Sequence, residues 1–222
     1  KLDDIYEFQT AKIIDDANYN EMIKTTIDTI KQYSTIYAQS IPTLPDVVRI
    51  SDFKDQIGNV SNVPIGMSKS TIEAYRFNFT KSLINVITSK TMDFIVEYVN
   101  NLINVLNELD NTKIYIFDSN NYFDLTTNSI KEIYNRYMLE FDNNVYNNKQ
   151  VLVLILDLDN FISNIPNASE MFNKASKKKN YHFIICDNMN KIKLFEYEEW
   201  FRKYNIKESG IWIGNGIRDQ YI

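Results

Sequence analysis

Five short apolar runs punctuate the chain from residue 83 onward, at residues 83–87, 113–117, 151–156, 182–186 and 211–213. Each has the length of a strand rather than a helix. The run at 151–156 reads VLVLIL and is apolar at every position. A half-exposed antiparallel strand alternates apolar and polar positions, so an unbroken run points to a central parallel strand covered on both faces. Between the runs the period changes. Met92, Ile95, Val96, Val99, Leu102, Ile103, Leu106 and Leu109 recur at helical spacing in a broad stripe, the mark of a deeply buried helix. Ile130, Ile133, Tyr134, Tyr137, Met138 and Phe141 form a second stripe. Ser129 opens it, with Glu132 three residues on, the pairing of a capping box. Shorter helices are expected over 169–178 and 197–203. Strands alternating with helices define an α/β domain with a mostly parallel sheet.

The first part of the chain has another character. Residues 5–14 read as a strand. Ile23, Ile27, Ile30, Tyr33 and Tyr37 then fall at the spacing of one amphipathic helix. Pro42 and Pro45 break that helix and force an extended segment. Two further strands, 63–67 and 72–79, are expected around a polar turn at 68–71. Residues 1–62 therefore read as a strand-and-helix arm lying against a domain that spans 63–222.

Composition narrows the classes. The chain has 222 residues, 44% of them hydrophobic, which supplies a sizeable core and excludes a largely disordered polypeptide. No stretch approaches the roughly 18 apolar residues that cross a bilayer. The first residue is Lys1 and no signal-peptide pattern follows, so the sequence reads as a piece cut from something longer. Cys186 is the single cysteine, which rules out an internal disulfide and fits a reducing compartment. The formal net charge is −5. Nucleic-acid binding draws its affinity from a basic face, and the one basic run, Lys177-Lys178-Lys179, is too small to supply it. That run reads as a solvated helix end beside the negative end of the helix dipole. No nucleic-acid partner is expected.

In open α/β sheets ligands sit at the carboxyl ends of the strands, so the residues just after each apolar run carry the candidate chemistry. After the first run stand Thr88, Ser89, Lys90 and Thr91. A phosphate-binding loop has the pattern GxxxxGK[ST], in which glycines let backbone N–H groups curl around phosphate and the lysine reaches the outer phosphates. If Lys90-Thr91 is the Lys-Thr pair, Ile84 and Ser89 occupy the glycine positions, and Ile84 lies inside the strand. If the strand end is fixed at Ile87, Asp93 and Phe94 fall where Gly-Lys belongs. Neither registration makes a phosphate cradle. The plainer reading is a strand-to-helix turn in which Thr88 or Ser89 caps the helix.

After the third run stand Asp157, Leu158 and Asp159. An apolar strand ending in Asp is the second half of a nucleotide site, where the carboxylate holds Mg²⁺ through water. Many such ATPases place a second acid directly after it to polarise the attacking water, and Leu158 stands there instead. His182 is the only histidine and sits in an apolar run with no metal-ligand partners around it. Cys186 reads as a small core residue. Gly210, Gly214 and Gly216 flank the last run, which reads as a closing strand with a glycine-rich turn.

These residues, in this order, resemble one family. "YEFQTAKI" with the helix after it is similar to the connector between successive modules of the FtsK/SpoIIIE-type coupling ATPases of type VIIb secretion systems in Gram-positive bacteria, the EssC family. "IPTLPDVV" resembles the segment before each module, and "VPIGMSKSTIEAYRFNF" the hairpin before the phosphate loop. "VLVLILDLDNFI" stands at the second nucleotide motif, and "GIWIGNGIRDQ" resembles the closing strand. The resemblance covers most of the chain and points to the C-terminal module. It implies a RecA-like (P-loop NTPase-like) fold, and a soluble domain on the cytoplasmic face of the plasma membrane within a membrane-anchored protein. The implied partners are secreted WXG100-type proteins, neighbouring ATPase modules of the same chain and further copies of the parent in an oligomer. The last module in this family is often degenerate. Two readings follow. In the first, Thr88, Ser89, Lys90, Thr91, Asp157 and Asp159 are the remnant of a nucleotide pocket, with no cofactor, no metal and no catalytic residue, and the module recognises or regulates export substrates. In the second, it is a weak or atypical ATPase that still takes ATP and Mg²⁺ through Lys90 and Asp157.

Overall fold

The structure, a computed structural model, describes residues 18–33, 43–49, 52–53, 56–123 and 129–215, with the backbone alone at 206–209. The chain divides into two compact units, Lys1–Thr43 and Leu44–Ile222. In the first unit the expected helix is present as α1 (Tyr19–Tyr33). Ile23, Ile27 and Ile30 lie on its exposed surface. The strand read at 5–14, and Tyr37, lie outside the described residues.

The second unit opens with an antiparallel hairpin of β1 (Val63–Met67) and β2 (Ala74–Phe77). The second strand is shorter than the expected 72–79. Ile72 has φ 55°, a left-handed conformation that a β-branched residue adopts only in a turn. The turn closes with Ser68 N–H on the Glu73 carbonyl. At the far end the Asn78 side chain accepts from both the backbone N–H and the hydroxyl of Thr80, which bends the chain out of the strand.

The body of this unit is a five-stranded parallel sheet of β3 (Ile84–Ser89), β4 (Thr112–Asp118), β5 (Gln150–Leu156), β6 (Tyr181–Asn188) and β7 (Asn205–Ile213), in the order β4-β5-β6-β3-β7. Each of the five apolar runs became one of these strands. In β5, Val151, Val153 and Ile155 enter one core cluster while Leu152, Leu154 and Leu156 enter the other, which is why the run needs an apolar residue at every position. Helix α2 (Met92–Asn107) covers one face through Ile95, Val99, Leu102 and Leu106, together with Val63 and Phe79 at and beside the hairpin.

On the other face lie α3 (Ile130–Asp142), α4 (Leu158–Asn164), α5 (Ala168–Ala175), α6 (Met189–Leu194) and α7 (Glu199–Tyr204). The capping box at the start of α3 is present: Ser129 accepts from Glu132 N–H while Glu132 accepts from Ser129 N–H. Three further elements depart from expectation. Strand β7 runs nine residues, not three, because its pairing with β3 starts at Asn205 and resumes at Gly210 after a register shift, both ahead of the apolar run. Helices α4 and α6, of seven and six residues, are too short to show a helical period in sequence.

With this order the sheet is a RecA-like α/β fold. Strands β3 and β6 are neighbours, yet the chain leaves β3 for α2 on one face and leaves β6 for α6 and α7 on the other. That is the topological switch point of an open α/β sheet, where a crevice forms beyond the carboxyl ends.

Candidate nucleotide-site edge

Three strand ends, those of β3, β5 and β6, meet at this edge in lateral register. Leu156 pairs with Cys186, and Thr88 and Ser89 pair with Asp187 and Asn188. The turn that would hold phosphate is minimal. Strand β3 ends at Ser89 and α2 begins at Met92, so Lys90 and Thr91 alone connect them. A loop of two residues without glycine cannot wrap N–H groups around a phosphate. Thr88 and Ser89 are buried, and neither hydroxyl has a hydrogen-bond partner. The expected cap from Thr88 or Ser89 is therefore corrected. Thr88 and Ser89 lie within β3, and the N-cap of α2 is Thr91, whose side chain makes no cap bond. Lys90 and Thr91 are exposed.

Asp157 is placed differently. It is buried at the end of β5, has φ 57° and serves as N-cap of α4, where its carboxylate accepts from Asn160 N–H. The other carboxylate oxygen takes Asn120 Nδ2 at 2.7 Å and the Lys191 ammonium at 2.9 Å. Burial acts to raise the Asp157 carboxyl, but the bonds from Lys191, Asn120 and Asn160 outweigh it and hold it below the ordinary range. Lys191 is raised in turn, chiefly by its bond to Asp157. Asp159 lies exposed in the first turn of α4. Thus the edge brings Asp157 together with Lys191, a residue absent from the sequence-based set. Among the described residues no group of three or more His, Cys, Asp or Glu side chains is placed to hold a metal ion.

Asp187 also escaped the sequence reading. It is fully buried at the end of β6. One carboxylate oxygen accepts Leu158 N–H at 3.0 Å and the other Asn188 N–H at 2.7 Å. Desolvation pushes this carboxyl up to about 6, with Asp157 adding to the rise and Lys191 opposing it. Its signal was present: the apolar run 182–186 ends directly in Asp187, as 151–156 ends in Asp157. The ionised Asp187 is disfavoured in the fold, so its stabilising share is complete below its unfolded value, near 4, and is lost as pH rises through about 6. Asp157 does the opposite, losing its share only as pH falls through a value below 3.8. Urea unfolding from about pH 4 to about pH 7 should show the wild type losing stability relative to Asp187→Asn as pH rises. A pH-independent difference between the two would refute the assignment.

The other singled-out residues are structural. His182 sits near the amino end of β6 with Nδ1 on the Ser82 carbonyl, and burial lowers its pKa. Burial pushes the Cys186 thiol up, away from nucleophilic use. The lysine run is not fully solvated. Lys177 and Lys179 are exposed, but Lys178 donates to the Phe141 carbonyl and Asn144 at the end of α3, so the dipole it meets belongs to another helix. Gly214 has φ 92°, as a closing glycine turn requires, and Gly216 lies outside the described residues.

Away from this edge, a groove of about 490 Å³ runs between α2, β1, residues 47–49 and Phe53. Val47, Val48, Phe53, Ile65, Leu102 and Val105 give it apolar walls, with Arg49 and Glu97 also lining it.

No family model matches the sequence, and no curated protein matches it. Solved structures do. The cytoplasmic domain of EssC superposes with a TM-score of 0.60 at 12% identity, over 94% of this chain and 48% of that one. The fold is that of the EssC and EccC ATPase domains. ATPases 2 and 3 of Thermomonospora curvata EccC, in complex with a signal sequence peptide, give 0.57 at 14% identity over 94% of this chain and 44% of theirs. ATPases 2 and 3 of Geobacillus thermodenitrificans EssC give 0.56 at 15% identity over 81% and 40%. The chain spans about half the length of these structures, or less. No helix among its described residues is long and apolar enough to cross a membrane.

Proposed function

We propose that this chain is a non-hydrolysing FtsK/SpoIIIE-like module of a type VII secretion coupling protein, and that it recognises WXG100-type export proteins through a peptide segment. One observation carries the loss of hydrolysis. The carboxylate at the position that would order Mg²⁺, Asp157, is already satisfied by the Lys191 ammonium, Asn120 and Asn160. A metal would have to displace an internal cation and strip a buried carboxylate of its partners. The two-residue turn Lys90-Thr91 adds the absence of a phosphate cradle. In this reading, neighbouring modules of the parent hydrolyse ATP, and the parent acts as a membrane-anchored oligomer with this module on its cytoplasmic face.

Support for peptide recognition comes from the groove beside α2, whose apolar walls and volume suit a few buried side chains of a segment. The neighbouring EccC structure holds a signal sequence peptide. Isothermal calorimetry of the chain with Mg-ATP should give no saturable heat up to about millimolar nucleotide, the range where a site without converging N–H donors fails. Saturable micromolar binding that Lys90→Ala abolishes would replace this reading with that of an atypical ATPase.

A further inference from the structure

Two apolar surfaces of this chain have no cover among the described residues, one in each compact unit. The first is helix α1. None of its 15 residues is buried, and Ile23, Ile27 and Ile30 stand at i, i+4 and i+7 on one exposed face. A helix of this length is marginal in water without a surface to pack on. The second is the groove beside α2, lined by Val47, Val48, Phe53, Leu102 and Val105. This groove suits a helix better than a strand. Along β1, Pro64 has no N–H to offer, and the Ile65 carbonyl already takes the Tyr98 hydroxyl at 3.2 Å. An added strand would find little backbone to pair with, whereas a helix docks by its side chains alone. The charges agree. At about 100° per residue, Lys24 and Lys31 border the isoleucine stripe on one side, while Glu21 and Asp28 turn to the far face. Glu97 lines the groove from α2, with Asp93 one turn before it on the exposed surface of that helix. Among the described residues, neither Lys24 nor Glu97 has an ion-pair partner of its own.

We propose that helix α1 of one copy of this chain docks its Ile23, Ile27 and Ile30 face into the groove beside α2 of a second copy, with Lys24 and Lys31 set toward Glu97. Each copy carries both halves of the contact, one helix and one groove. The proposal rests on the reading of the groove as a docking surface, and it gives that surface an occupant that an export segment would have to displace. One helix in one groove buries little area, so a single contact is weak and gains strength where several copies line up.

Sedimentation velocity of the full chain, with no nucleotide and no export protein, tests it. The wild type should associate as its concentration rises from about 1 to about 100 μM, the range of a small interface. Ile27→Asp on the helix and Val47→Glu on the groove wall should each weaken association at least about tenfold, because each places a charge where apolar surface must lose water. The two positions are 46% and 59% exposed, so neither change touches the core, and circular dichroism should match the wild type. The deciding sample mixes the two variants. Ile27→Asp keeps an intact groove and Val47→Glu an intact helix, so the mixture should associate where each variant alone does not. A wild type that stays monomeric throughout would overturn the proposal. So would association that survives Val47→Glu, which means α1 pairing with α1, or a mixture no better than its parts. Export segments are absent from this experiment, so the peptide reading of the groove stands or falls separately, on export itself.

Discussion

Phe172→Ala should remove about 3–5 kcal/mol of stability, the usual cost of truncating a buried phenylalanine. Phe172 lies at the centre of the larger core cluster and is fully buried on α5. Its ring stacks on Trp200 at 4.4 Å with an interplanar angle of 5°, and meets Phe183 edge-to-face at 4.7 Å. It thereby joins α5, α7 and β6. Removing it leaves Trp200 and Phe183 facing a void neither can fill, because Phe183 is fixed in a central strand and Trp200 opens a short helix. A domain of this size holds about 5–15 kcal/mol in all, so the variant should stand near its unfolding threshold. The comparison is Phe94→Ala. Phe94 is 53% exposed in the first turn of α2 and should cost less than about 1 kcal/mol. Guanidinium unfolding at fixed pH measures both. A loss below about 1 kcal/mol at Phe172 would mean that α5 and α7 do not depend on this stack.

The fold was legible because its main signals are local and apolar. Five runs became five strands, and VLVLIL declared its central position by leaving no polar face. The helices α2 and α3 were long enough to show their period, and Ser129 with Glu132 fixed the start of α3. What stayed hidden was short, polar or long-range. Helices α4 and α6 are made by the caps Asp157 and Asn188, not by a stripe. Strand β7 starts at Asn205, paired with Ile84, well before the apolar run that marks it.

The candidate site divides the same way. The sequence led to Asp157 and to the missing glycines after β3, both of which are local properties. It did not lead to Lys191, because the pairing crosses from one strand end to another and exists only once β5 and β6 are neighbours. Asp187 has the same apolar-run-then-Asp signature as Asp157, but its burial and its bond to Leu158 N–H arise only from the sheet around it. A charged residue of α6, only six residues long, thus gives Asp157 an internal partner that the local sequence does not show. This is the difference between a fold and the chemistry grafted on it.

If the proposed function is right, deleting this module from a full-length secretion ATPase that carries it should stop export of WXG100-type proteins while that protein's ATP hydrolysis persists. The expectation follows from a scaffold that keeps its sheet, caps and aromatic core while its carboxyl edge holds an internal ion pair where a cofactor would sit. What such a module still offers is surface. The groove beside α2 is the surface with apolar walls, and a single groove of this size gives modest affinity on its own. Several copies aligned in an oligomer would strengthen it through effective concentration, by about 10²–10⁴ over one site. Val47 separates this role from mere folding. It is 59% exposed, so Val47→Glu leaves the core untouched, yet it places a charge on the groove wall where an apolar segment would have to lose water. Export should then fall with the folded module intact, judged by unchanged guanidinium unfolding of the isolated chain. If every substrate leaves the cell at the normal rate after the deletion, while the remaining modules still assemble, recognition lies elsewhere in the parent. If hydrolysis stops together with export, the module is part of the motor, and the Lys90 and Asp157 variants become the ones to compare.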